Sequence, residues 1–263
     1  MNANFFVQLN WCLVLKKIHL LKAFSVMIAC LCLFSLGVSA KQPLSLVTEI
    51  YPPYQTLSAE NQVEGVATQL VKRIFEEADL DYNIEFLPWA RAYNKALFEP
   101  DVFIYSMMKL SARQSSFIWL APLCDVNASF YKLKGRQDII IQSVDDAKKY
   151  RIGVGRNQGN FIFLQDNGFK INQNLIVVNN NEQLRKMLVH NRIDLILTTD
   201  GYITEIIKNG SVYTKMLERE FTVSSLKQTL YLAANKATNP EIIDKIITAY
   251  QQLPASLFHQ CDR

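Results

Sequence analysis

Between residues 45 and 105 short β-type runs alternate with amphipathic helical stretches, and between 151 and 197 the same order returns. The run 45–50 reads as a strand and ends in the turn Tyr51-Pro52-Pro53-Tyr54. Val66, Leu70, Val71, Ile74, Phe75 and Ala78 then recur at helical spacing, which predicts a helix over 65–78. Residues 82–87 alternate apolar and polar, as a strand with one buried face does. Pro88 suits the first turn of a helix reaching Phe98, because its missing N–H would be unpaired there anyway. A short buried strand follows at 102–105. In the second half, Ser143 and Asp146 form an S-x-x-D cap for a short helix. Strands are predicted at 151–154, 175–178 and 193–197, with one helix after Gly159 and another marked by Leu184, Met187 and Leu188. Asn239 caps a last helix, with Pro240 at its first position and Ile242, Ile243, Ile246, Ile247 and Tyr250 on its buried face.

Such an order predicts an α/β protein with two mainly parallel sheets and flanking helices. The apolar segments 129–133 and 229–234 flank the second unit and are expected to cross between lobes. No Gly/Ser-rich or Pro-rich linker separates the halves, so the expectation is two lobes joined by two hinge crossings. The expected division is 41–130 with 225–263 for the first lobe and 131–224 for the second. A chain that is 49% hydrophobic and 20% charged is neither disordered nor fibrous.

The first 40 residues carry a different signal. Lys16, Lys17 and Lys22 precede an apolar run over 23–38, and Val38-Ser39-Ala40 offers small residues at a cleavage-like spacing. This predicts a secretory leader cut after Ala40. The competing reading is a membrane anchor, for which the apolar run is short. Loss of three Lys and no acid takes the formal charge of +4 down to +1, so the exported product is expected to be soluble, with no electrostatic footprint for nucleic acid. Cys12, Cys30 and Cys32 leave with the leader. Cys124 and Cys261 remain and can pair in an oxidising compartment, although spacing alone does not decide it. With only His190 and His259 left there is no zinc pattern. No G-x-S-x-G elbow is present, and Gly153-x-Gly155-x-x-x-Gly159 has the wrong spacing for a dinucleotide loop. No cofactor is expected.

A series of segments occurs in a fixed order: Thr48-Glu49-Ile50-Tyr51-Pro52-Pro53-Tyr54, Gly65 at a helix start, Leu87-Pro88-Trp89-Ala90-Arg91, then 106–113 and Phe117-x-Trp119-x-x-Pro122. Asp145-Asp146-Ala147, Ile152-Gly153-Val154-Gly155 and Arg192-Ile193-Asp194 complete it. Through these the chain resembles the periplasmic solute-binding proteins of the polar amino-acid type, family 3, over nearly all of the sequence after the leader. The resemblance implies the type II periplasmic binding fold, with two α/β lobes that close about a hinge on a small ligand.

It also implies where to look for the ligand. Arg113 matches the arginine that forks onto a ligand carboxylate in such proteins, as a planar guanidinium does well. Leu110 and Ser111 stand where relatives carry a threonine, and Lys109 offers a second positive group. Ser106 opens the same segment. Tyr51 and Tyr54 follow the first strand, where ligands of open α/β sheets sit; they either wall the ligand or pack the turn. Trp89 and Arg91 stand at a helix start, Trp89 in core or cleft and Arg91 facing an anion or a surface acid. Trp119 is assigned to the core. In the second lobe Gly159 and Asn160 open a helix whose N–H groups suit a carboxylate. Asp200 lies near the acid that meets a ligand ammonium in relatives, with Thr199 at the usual spacing. Asp194 is expected to be structural.

The expected function is therefore capture of a small polar ligand, an amino acid or related carboxylate, in the periplasm. A monomer would deliver it to an inner-membrane ABC permease, with no bond made or broken. Two rival readings share the fold: a sensing module for a membrane receptor, and a dehydratase-type enzyme using Glu49 or Asp200.

Overall fold

The computed structural model describes residues 43–209, 216–258 and 261; the expected leader, with its cleavage site, lies outside the described residues. The first sheet is built from β1 (Leu44–Thr48), β4 (Tyr82–Phe86), β5 (Val102–Met108), β6 (Phe117–Val126) and β12 (Gln228–Asn235), in the order β4-β1-β5-β12-β6. A small hairpin, β2 (Thr56–Leu57) with β3 (Val63–Glu64), precedes the first helix. The second sheet has the order β11-β7-β10-β8-β9. Its strands are β7 (Ala128–Leu133), β8 (Ile152–Gly155), β9 (Leu175–Val178), β10 (Leu195–Thr199) and β11 (Leu217–Thr222).

Each sheet is parallel over one half and antiparallel over the other. β4, β1 and β5 run parallel, whereas β12 pairs antiparallel with β5 and with β6. Likewise β9, β8 and β10 are parallel and β7 joins antiparallel to β10 and β11. The antiparallel halves are made by strands that adjoin the passages between sheets. The chain leaves the first sheet at Val126, enters the second at Ala128, and returns between Thr222 and Gln228. The apolar segments 129–133 and 229–234, expected as crossings, are thus strands, and the crossings are the short stretches beside them.

Helices cover both faces of the first sheet. The helix α1 (Val66–Glu77) buries Leu70, Val71, Ile74 and Phe75 of the predicted stripe, with Ala67 beside them and its cap Ala78, and leaves Val66 at its start exposed. With α7 (Pro240–Gln252) it covers Leu46, Phe103 and Tyr105. On the opposite face, α2 (Trp89–Phe98) covers Val47, Val102 and Ile104. Successive residues of a strand point to opposite faces, and β5 obeys this up to Tyr105. Met107 and Met108 then fall one step out of phase, and the register with β12 shifts at the same place. The extra residue is Ser106, held at φ 61. A bulge of this kind re-aims a side chain.

The second sheet is likewise covered on both faces. Leu195 and Leu197 join one core, and Ile196 joins the other with Leu184, Leu188, Tyr202 and Ile206. Those last four come from α5 (Asn181–Val189) and α6 (Asp200–Asn209). Asp194 is structural, as expected: its carboxylate accepts from the Arg151 backbone and side chain, each at 3.0 Å, and pairs with Arg136. Cys124 and Cys261 form a disulfide with Cα atoms 5.2 Å apart, tying β6 to the C-terminal segment. Among the described residues, no helix is long and apolar enough to cross a membrane.

Candidate functional site

Where the ends of β1 and β5 face the loops after β8 and β10, side chains from both lobes converge on one cavity. From the first lobe come Glu49, Tyr51, Gln55, Trp89, Ser106 and Arg113. From the second come Gln158, Gly159, Asn160 and Thr199. The cavity is open to solvent on one side and has about 40 Å³ of room for the centres of water molecules.

Arg113 belongs to the short helix α3 (Ser111–Gln114), directly after β5, and is only 1% exposed. Its guanidinium lies 5.5 Å from the Trp89 ring centroid and 5.3 Å from that of Tyr93, which hold it as a stacked cation. Nη1 donates to the Met108 carbonyl at 3.3 Å, and Nη2 donates across the cleft to the Asn157 carbonyl. Nε is buried with no partner among the described residues. Loss of water lowers its pKa to about 10, still far above neutrality, so the charge persists. Trp89 serves both readings offered for it. Its ring packs in the core beside Ala92, while Nε1 donates 2.8 Å to the same Asn157 carbonyl.

Tyr51 reaches across the cleft. The bridge between Tyr51 and Gln55 fixes its backbone. Its ring stacks on Tyr202 of the second lobe, centroids 4.7 Å apart, and its hydroxyl lies 2.8 Å from Thr198 Oγ1 and 2.9 Å from Thr199 Oγ1. Ser106, turned inward by the bulge, donates 2.7 Å to Gln55 Oε1. Glu49 is partly buried at the end of β1, and Gln158 Nε2 donates to both its oxygens at 2.9 and 3.1 Å. Desolvation pushes its pKa up to about 8, against the opposing pull of Gln158 and Arg113. The helix α4 (Gly159–Asp166) points its N-terminal end at the cavity, and a Cβ on Gly159 would lie 2.2 Å from Met108 Sδ of the other lobe.

Four residues singled out in the sequence lie elsewhere. Tyr54 is wholly buried in the first core, behind Tyr51, with ring centroids 5.7 Å apart. Arg91 is exposed: two positions beyond Trp89 is a little over half a turn of helix, so it faces away. Asp200 begins α6, where it accepts 2.8 Å from the Tyr131 hydroxyl and pairs with Arg219 at 3.4 Å. Thr199 lines the cavity in its place. Lys109 lies over Trp119 and Tyr231, at 5.7 and 5.6 Å, not in the cavity. Trp119 is partly buried against the core it was assigned to. Gln55, Met108, Gln158 and Leu230 line the cavity without having been singled out as such. They are neutral residues of common type, and only the fold brings them there.

A two-lobed α/β molecule with a polar cleft at its strand ends is the architecture of the periplasmic binding proteins. No family model matches the chain. A curated relative, the putative ABC transporter arginine-binding protein 2 of Escherichia coli (strain K12), is 23% identical over 226 residues, which cover 84% of this chain and 88% of that protein. An ancestral arginine-binding protein bound to arginine matches with TM-score 0.68 at 17% identity, covering 81% of this chain and 92% of that one. A histidine kinase sensor domain with similarity to periplasmic binding proteins matches with TM-score 0.69 at 13% identity, covering 80% and 89%. The chain has the two-lobed periplasmic binding fold, and the resemblance to the family 3 solute-binding proteins stands.

Proposed function

We propose that this protein captures a small carboxylate-bearing solute, with L-arginine the first candidate, and presents it to an ABC permease. The observation that carries the reading is Arg113: a buried, doubly stacked guanidinium that spans the cleft to the Asn157 carbonyl. A ligand carboxylate offers this cation a stronger, charged acceptor in place of that carbonyl. Glu49, the acid lining the cavity, suits the cationic end of the ligand, whose charge would lower the raised Glu49 pKa and bring the carboxylate form back. The curated relative's name, an arginine-binding protein, supports the choice of arginine.

The mechanism is population shift. Contacts from both lobes exist together only when the cleft is closed, so a ligand touching both stabilises closure. The lobes would be 43–126 with 228–258 and 128–222, hinging at Asn127 and 223–227, and they move as a monomer. Export through a cleaved leader would place the protein in the periplasm. No step of this mechanism is chemical, and Glu49 serves in it as a binding group, not a general acid. The likeness to a kinase sensor domain supports a second reading, in which the same closed state is read by a membrane receptor.

Calorimetry with L-arginine, other amino acids and small carboxylates tests the proposal. Binding is expected for the wild type and a loss of about 1.5–3 kcal/mol for Arg113→Ala. Absence of binding across the panel by folded protein would overturn it.

A further inference from the structure

In the cavity wall, two polar atoms of opposite character have no partner among the described residues. One is the Arg113 Nε donor of the first lobe; the other is the Asn160 Oδ1 acceptor of the second, on a residue 5% exposed. The orientation of the Asn160 amide is fixed by its neighbour. Nδ2 donates 2.8 Å to the Leu197 carbonyl of β10, and exchanging N and O would set two carbonyl oxygens against each other. Asn160 therefore presents an acceptor at the start of α4, where the helix alone would offer only N–H donors. Asp200, the acid at the start of α6, is held by Tyr131 and Arg219, and Glu49, the acid in the cavity, is bonded by Gln158. A buried acceptor without a partner is costly, and is expected to be satisfied by whatever occupies the cavity.

We infer that Asn160 Oδ1 is a specificity-determining contact that reads a hydrogen-bond donor on the carbon next to the ligand carboxylate. The inference rests on the carboxylate-binding reading above and deepens it. Since the acceptor is an uncharged amide, it accepts from a hydroxyl as well as from an ammonium. The substrate class is thus α-amino and α-hydroxy acids together, and acids bare at that carbon are excluded.

The test uses two matched trios on the full chain after residue 40. One is L-arginine with its α-hydroxy and desamino analogues; the other is alanine, lactate and propionate. Within a trio that binds, the amine and hydroxyl members are expected within about tenfold of each other, and the bare acid at least about tenfold weaker. Asn160→Leu, similar in volume but without an acceptor, is expected to erase that difference. A bare acid binding as well as its partners overturns the inference, and so does a trio pattern unchanged in Asn160→Leu. Either result leaves carboxylate capture standing, whereas six flat titrations on folded wild type overturn both. Asn160→Ala, which also lacks the acceptor, takes the place of Asn160→Leu if that variant does not fold.

Discussion

Glu49 and Arg113 share one cavity, yet they answer to burial in opposite ways. Arg113 keeps its charge because its pKa starts so high, whereas Glu49 is moved to about 8 and holds its proton at neutrality. The sign of the consequence follows. An unfolded Glu ionises near its ordinary value of 4.5, while the folded one waits until about 8, so raising the pH across that window favours unfolding. Thermal melts from pH 5 to 8 should show the wild type losing stability relative to Glu49→Gln; parallel curves would contradict the burial of this carboxyl. Gly65 makes a second claim at this scale. It sits at φ 111 with a would-be Cβ 2.4 Å from the Tyr54 carbonyl oxygen. Gly65→Ala should therefore cost roughly 2 kcal/mol or more in chemical denaturation. Single residues were unevenly legible. Arg113, Tyr51, Gly159 and Asn160 stood out because charge, aromaticity and helix-start position are visible in sequence. Asp200 is misleading in sequence because no pattern marks the helix that starts there and turns it toward Tyr131.

At the level of elements, helices were easier to read than the ends of strands. The stripes of α1 and α7 are periodic, and the Asn239 cap is realised, its Oδ1 accepting 2.9 Å from Glu241 N. The S-x-x-D cap is realised too, with the Asp146 N–H donating 3.2 Å to Ser143 Oγ, although the turn it opens is a 3-10 helix. By contrast the sequence pattern ends at Tyr105 while β5 runs on to Met108, because nothing in the sequence marks the bulge at Ser106. Apolar runs at 129–133 and 229–234 were visible, but which sheet each joins depends on pairing partners far away in sequence. Spacing alone leaves the pairing of Cys124 with Cys261 open for the same reason. Their bridge pins the C-terminal segment to β6, across 137 residues of chain. Replacing both cysteines with alanine should cost about 2–4 kcal/mol, read as a melting point lower by roughly 5–10 °C. An unchanged melting point would mean that the bridge does not hold the fold.

For the whole molecule, the account is one of two lobes with their own cores that meet through polar contacts and one aromatic stack, Tyr51 on Tyr202. Tyr51 with Thr198 and Thr199, Glu49 with Gln158, and Arg113 and Trp89 with the Asn157 carbonyl all cross the cleft. Contacts of this kind are easily exchanged for contacts to a ligand, unlike the apolar packing inside each lobe. Small-angle X-ray scattering on the wild type and Arg113→Ala, with and without saturating L-arginine, tests this most directly. The radius of gyration should fall on adding ligand to the wild type and stay fixed in Arg113→Ala. If calorimetry shows the ligand bound while the radius is unchanged, or if the variant contracts like the wild type, closure through Arg113 is not how this protein holds its solute.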